Sequence, residues 1–246
     1  FCSCTAASEA AGSASGASGI GGGAEGKPMC FSAPASFIAA GITGAVGIAC
    51  LRRTADAREL PLAAMPVLFA VQQGVEGALW LALPADPGGV VAAWLSMIFL
   101  LFALVIWPVY SPLAALLIET DERRALLMRI VLAIGVGVAA YFARVLVFEP
   151  HTTTIEGGHL AYFARRDLPF AMGVMYLVAT CAGPLLSSHG VVRLIGLIVV
   201  TASMITWAHY WQAFTSVWCF FAAAASAVTW LHFERAARQR SAAPAA

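Results

Sequence analysis

Apolar residues in this chain come in long runs, broken only by short polar stretches, and seven runs approach the roughly 20 residues a helix needs to cross the hydrocarbon core of a bilayer. They lie near 35–51, 61–83, 90–110, 125–147, 169–186, 190–211 and 213–232. The second opens with Pro61, a residue suited to a first helical turn, and stops before Pro84-Ala-Asp-Pro-Gly-Gly. The third can continue past Pro108 and Pro112 to Ile118 with a kink, because proline removes a backbone donor. The last two runs are joined so closely that they predict an antiparallel hairpin of helices.

The pattern predicts an all-α integral membrane protein with seven transmembrane helices. With Arg129 and Arg144 near helix ends left out, Arg52, Arg53, Arg58, Arg123, Arg124, Arg193, Arg235, Arg238 and Arg240 fall on one side of this threading, and Lys27, Arg165 and Arg166 on the other. Positive residues are retained in the cytoplasm, so the N-terminus is expected outside and the C-terminus in the cytoplasm, in a cell membrane. Aromatic residues mark both interfaces in this reading. Trp80, Trp94, Trp207, Tyr210, Trp211 and Trp218 sit near the outer ends, and Trp107, Tyr110 and Trp230 near the inner ends.

Composition agrees. The 246 residues are 61% apolar and 11% charged, with mean hydropathy +0.83, whereas soluble domains carry about 25% charged residues. This excludes a disordered chain, a nucleic-acid binder and an ordinary soluble enzyme; the expected partner is the lipid bilayer. A net charge of +1 steers no charged partner, and nothing in the pattern indicates a homo-oligomer. Residues 1–28 are rich in Ser, Gly and Ala without apolar period, and read as a disordered extension. The chain opens on Phe1, and composition changes at Met29, the expected natural start. Residues 29–233 form the membrane domain and 234–246 a short basic cytoplasmic tail.

Candidate chemistry concentrates in the second run. Gln72, Gln73, Glu76 and Trp80 fall within an arc of about 100° on a helix and so share one face. Glu76 is the one carboxyl well inside a span, and exposing it to lipid is costly. The face is therefore expected to point into the bundle, either as a site for a small ligand or ion or as a hydrogen-bonded knot between helices. His209 and Ser216 fall at the same depth and complete the expected outward-facing pocket, with Trp207, Thr215, Cys219, Tyr176 and Thr180 as further lining. The long outer loop, 148–168, carries His151, Glu156, His159, Tyr162, Arg165, Arg166 and Asp167, and is expected to form an ordered lid. His232 is placed among lipid headgroups and His189 in solvent. Cys50, Cys181 and Cys219 read as small packing residues, and Gly41, Gly44 and Gly47 as a close-packing stripe.

No catalytic residue, metal ligand set or cofactor motif stands out: there is no His-Glu-x-x-His, Gly-x-Ser-x-Gly or phosphate-binding glycine loop. Binding or transport is favoured. The alternatives are an intramembrane enzyme, such as a metal-dependent lipid hydrolase, and a structural or assembly role.

Several separated stretches carry a resemblance. They are Met29-Cys-Phe-Ser-Ala, Leu60-Pro-Leu-Ala-Ala-Met-Pro, Gln73 with Glu76-Gly-Ala-Leu-Trp80, Gly158-His-Leu-Ala-Tyr162, Thr180-Cys181, Leu185-Leu-Ser-Ser-His189 and Ser216-Val-Trp-Cys-Phe-Phe-Ala222. Residues 29–233 thereby resemble an uncharacterised bacterial multi-pass membrane-protein family, a domain of unknown function whose members open with Met-Cys-Phe-Ser-Ala. The resemblance implies Met29 as the start and a multi-helix membrane fold, and carries no activity.

Overall fold

The computed structural model describes residues 32–149, 151–156, 159–164, 169–209 and 225–242, except for the side chains of 163–164, 207–209 and 241–242. The described chain is a helical bundle with one small hairpin. Its elements are α1 (Ala33–Arg53), α2 (Leu60–Ala85), α3 (Val90–Leu100), α4 (Trp107–Ile118), α5 (Glu122–Phe148), β1 (His151–Glu156), β2 (His159–Ala164), α6 (Phe170–Leu186), α7 (Gly190–His209) and α8 (Ser226–Ala242). Four helical stretches, 33–53, 57–85, 90–118 and 122–148, are long and apolar enough to cross a membrane; α6 and the part of α7 up to Thr206 are shorter apolar helices.

The outside of the bundle is apolar. Ile38, Ile42, Leu81, Val91, Trp94, Leu126, Leu197 and Met204 are all exposed, while Ser36, Thr43, Gln72, Gln73, Glu76, Thr180 and Thr206 are buried. This reversal of the soluble pattern suits lipid on the outside and hydrogen bonding within.

The third run is one helical rod with a local defect. Between α3 and α4 the chain takes a π-helical turn over Leu101–Ile106, and the Trp107 N–H bonds Phe102 O, five residues back. In that register the Ala103 carbonyl falls to residue 108, a proline with no N–H to give. The Tyr176 hydroxyl of α6 donates to Ala103 O instead, at 2.7 Å. Pro184 likewise removes the helical donor of Thr180 O, and Ser111 Oγ of α4 donates to it at 2.6 Å. Pro112 leaves Pro108 O without its donor, and Gly135 of α5 comes so close to that oxygen that a Cβ there would overlap it. Neighbouring helices thus meet where prolines free a carbonyl.

Glycines set the other close crossing. Gly47 packs on the Pro66–Val67 backbone of α2 and Gly44 faces Ala70, whereas Gly41 faces open space. The small-residue stripe therefore packs at two of its three positions. Cys50 and Cys181 are buried free thiols within the packing; Cys219 lies outside the described residues.

At one end the helix termini are tied by side chains. Arg53 pairs with Glu234 at 2.7 Å, and Arg240 donates to Arg53 O. Arg124 donates to Leu186 O and Ser187 O, capping α6. Glu119 accepts from Ser188 N and Oγ, both at 2.7 Å, and His189 Nε2 lies 2.9 Å from Ile118 O. The residues expected on the cytoplasmic side are therefore gathered at one end of the bundle. His189 is half-buried rather than solvated, because the ends of α4 and α6 close over it. His232 is half-buried too, with its ring edge on Phe233 and 6.3 Å from the His189 ring. It packs against the bundle end. The expected tail from 234 is helical through Ala242 as part of α8, held by the Arg53–Glu234 pair. The expected helical hairpin around residue 212 lies outside the described residues.

At the opposite end, the stretch expected as an ordered loop forms an antiparallel hairpin with Glu156 opposite His159 and His151 opposite Ala164. Leu160 is fully buried among Leu79, Trp80, Leu83 and Ala92, and the Tyr162 ring stacks on Phe99 at 4.9 Å. The Thr152-Thr-Thr-Ile and Leu160-Ala-Tyr runs about Gly157-Gly158 carry the strand signal.

Two outcomes are expected from these contacts. Gly135→Ala should cost about 1–3 kcal/mol in a thermal or denaturant melt, since its methyl collides with backbone, whereas Gly137→Ala on the same helix, with open space before it, should be neutral or slightly stabilising. For Glu119, burial opposes ionisation, but the bonds from Ser188, Asp121 and Thr120 outweigh it and hold the carboxyl down to about 2. A lowered carboxylate contributes stability that is complete above its ordinary value of 4.5 and lost as pH falls toward about 2. Melts across that interval should show an acid-dependent loss in wild type that is smaller in Glu119→Gln.

Candidate functional site

Helix α2 is about 39 Å long at 1.5 Å per residue, and its inward face carries the polar residues singled out in the sequence. Gln72 and Gln73 are 0% exposed, Glu76 2% and Trp80 5%. All four point into the bundle, because the adjacent face of α2, through Val67, Ala70 and Gly77, is occupied by α1. Gln73 Nε2 donates to Glu76 Oε2 at 3.0 Å. Gln72 Oε1 accepts from the Trp107 indole N–H at 2.6 Å, and that ring stacks on Phe69 of α2 at 4.0 Å. A polar column thus runs along α2 from Gln72 through Gln73 to Glu76.

Two groups in the column have no hydrogen-bond partner among the described residues: Gln73 Oε1 and Trp80 Nε1. One is an acceptor and the other a donor. One amide acceptor and one indole donor thus flank the Glu76 carboxylate along the helix. Trp80 also lies under the hairpin, within the Leu79, Leu83 and Leu160 cluster, so the hairpin covers this end of the column.

His209 ends α7, but its side chain lies outside the described residues, as do Trp207's side chain and the whole of Thr215, Ser216 and Cys219. Tyr176 and Thr180 are buried, yet their hydroxyls are used on helix carbonyls: Tyr176 on Ala103 O and Thr180 Oγ1 on Tyr176 O at 2.9 Å. They brace α6 against α4 and along itself. Among the described residues, no three His, Cys, Asp or Glu side chains cluster in a way that could hold a metal ion.

Trp107 is a further residue that the sequence reading misplaced. Its position near a helix end suggested an interfacial ring. It is instead 2% exposed and bonded to Gln72. The π turn immediately before it, with Pro108 immediately after it, rotates its side chain toward α2. The available signal was the Trp-Pro pair itself, since a proline within a helix shifts the register of the turn before it.

A narrow cavity of about 40 Å³ lies on the other side of Trp107 from Glu76. Phe69, Trp107, Ser111, Thr180, Val199, Ser226 and Thr229 contribute to its wall.

Residues 29–246 match a family of unknown function (DUF6629), and the chain belongs to that family. No curated protein and no solved structure matches it.

The bond between Gln72 and Trp107 can be tested by a double-mutant cycle with Gln72→Leu and Trp107→Phe. Each single change should cost about 1–3 kcal/mol, because each leaves a buried group unsatisfied. The double change should cost less than their sum by about 1 kcal/mol or more. Additivity in denaturant or thermal melts would show that the two side chains act independently.

Proposed function

We propose that this chain is a multi-pass protein of a bacterial cell membrane, threaded seven times with the hairpin end outside, that binds or transports a small ligand or ion at the polar column around Glu76. The observation that carries the reading is the concentration of Gln72, Gln73 and Glu76, each at most 2% exposed, on one inward face of a helix whose other positions are apolar. A buried carboxyl in such a setting is costly to retain. Gln73 Oε1 and Trp80 Nε1 remain available beside it. In this reading the ligand approaches from the hairpin end, where Trp80 packs with Leu160. In this reading His209 and Ser216 are further contributors to the site.

The second reading is interhelical glue, favoured by one observation: Gln73 Nε2 is already spent on Glu76, and Gln72 on Trp107. The two readings part on Glu76→Gln. Both expect this variant to fold close to wild type, and both expect Glu76→Leu to lose about 1–3 kcal/mol by stranding hydrogen-bonding groups. Binding adds a demand. Detergent-solubilised wild type, melted against sodium, potassium, magnesium, calcium and ammonium chlorides and small alkylammonium salts, should show a concentration-dependent rise in midpoint with at least one probe. Glu76→Gln should lose that rise while keeping its own stability. A rise that persists in Glu76→Gln would remove Glu76 from the site, and no rise with any probe would leave glue as the better account.

A further inference from the structure

Beyond its first turn, helix α5 carries two exposed arginines, and the chain supplies a countercharge to one of them. Arg144, near the hairpin end, has the Glu149 carboxylate 3.9 Å away. Arg129 is exposed as well, and among the described residues no carboxylate pairs with it. The nearby acids before α5 are committed elsewhere: Asp121 accepts from Arg124 N at 3.0 Å, and Glu119 accepts from Ser188. The helix surface around Arg129 is apolar, with Leu126, Leu127, Ile130 and Val136 all exposed.

The depth of Arg129 fits a lipid headgroup. Helix α5 has 27 residues, about 40 Å at 1.5 Å per residue, against a hydrocarbon core of about 30 Å. Residues 130–148 alone span about 28 Å at that rise, which puts Arg129 where hydrocarbon gives way to phosphates at the arginine-rich end. Side chains on a helix lean toward its N-terminus. Helix α5 begins at the arginine-rich end, so the long Arg129 stem leans out of the hydrocarbon. A guanidinium at this boundary needs a countercharge, and a phosphate can take two parallel N–H bonds from its planar fork. Glu122 is exposed and lies seven residues back, on the same face, about 10 Å nearer the water. A base inside and an acid outside match a headgroup whose phosphate lies deeper and whose ammonium lies outermost. The same Glu122 opposes a headgroup of net negative charge.

We infer that Arg129 and Glu122 bind the headgroup of an amine-bearing phospholipid at the arginine-rich end, with the phosphate on the Arg129 guanidinium and the ammonium toward the Glu122 carboxylate. The inference rests on the proposed membrane threading and is independent of whether Glu76 binds anything. Arg123 provides the contrast within the same helix. It is exposed at the same end but stands about 120° around the helix from Arg129.

Native mass spectrometry of the detergent-solubilised protein tests this, with dioleoyl phosphatidylethanolamine, dioleoyl phosphatidylglycerol, dioleoylglycerol and inorganic phosphate as probes. The ethanolamine lipid should bind most tightly of the four. Arg129→Gln should weaken its binding roughly fivefold or more, the scale of one arginine at a phospholipid surface. Arg123→Gln removes the same charge from another face and should weaken it less than about twofold. Glu122→Gln should abolish the preference for the ethanolamine over the glycerol headgroup. Dioleoylglycerol or phosphatidylglycerol binding wild type as tightly as the ethanolamine lipid would overturn the inference, and so would displacement of that lipid by inorganic phosphate. These comparisons use wild type alone and hold even where a variant does not fold. Equal losses in Arg123→Gln and Arg129→Gln would overturn it too, since the attraction would then belong to the charge of the whole end. Alkaline carbonate extraction of membranes separates the premise from the inference. Release of the chain into the supernatant would overturn the threading, whereas a chain that stays in the pellet and shows no headgroup preference would overturn the lipid site alone.

Discussion

A carbonyl freed by proline and buried away from water must find a donor elsewhere, and much of this bundle is arranged around that requirement. Pro108 and Pro184 each remove a backbone donor within an apolar helical segment. Tyr176 and Ser111 supply the missing hydrogens across the α4–α6 boundary, at 2.7 and 2.6 Å. The two bonds run in opposite directions, one from α6 to the strand of carbonyls before α4 and one from α4 to α6, so neither helix can slide without breaking both. Pro112 adds a third such place, where Gly135 lets α5 approach the Pro108 carbonyl. Prolines that would weaken an isolated helix here fix the register between three of them.

The π turn at Leu101–Ile106 follows from the same constraint and has a consequence for the polar column. By shifting the register before Pro108, it turns Trp107 inward, and the indole N–H reaches Gln72. The column on α2 is thereby divided. Glu76, Gln73 and Trp80 lie toward the hairpin, and a largely apolar cavity beside Phe69 and Trp107 lies toward the arginine-rich end. Trp107 is held there by a stack on Phe69 and one hydrogen bond to Gln72.

The two ends of the bundle are closed by different means. At the arginine-rich end, polar and charged side chains cap helix termini: Arg124 on α6, His189 on α4, and Glu119 on the start of α7. Exposed termini leave several backbone groups unsatisfied, and these side chains satisfy them from neighbouring segments. At the other end a β-hairpin covers the bundle through Leu160 and Tyr162, an apolar and an aromatic closure over Trp80 and Phe99.

The helical class, the positions of the apolar runs and the inward turn of the Gln72–Glu76 face were all determined by the sequence alone. Each follows from a cost that any arrangement of the helices must meet: hydrocarbon length for the runs, and the burial of a carboxyl for the face. The arginine bias likewise grouped the residues that the fold gathers at one end. What depended on the tertiary structure was every pairing between elements distant in sequence. That Trp107 serves Gln72 rather than an interface, that Tyr176 and Thr180 bond helix carbonyls rather than line a pocket with Glu76, and that His189 and His232 face each other at a bundle end are matters of which helix stands beside which. Periodicity places a residue on a face but does not say what the face meets. The hairpin at 151–164 was missed for a related reason: its strands are short, and they gain their stability from the α2 and α3 side chains on which Leu160 and Tyr162 rest.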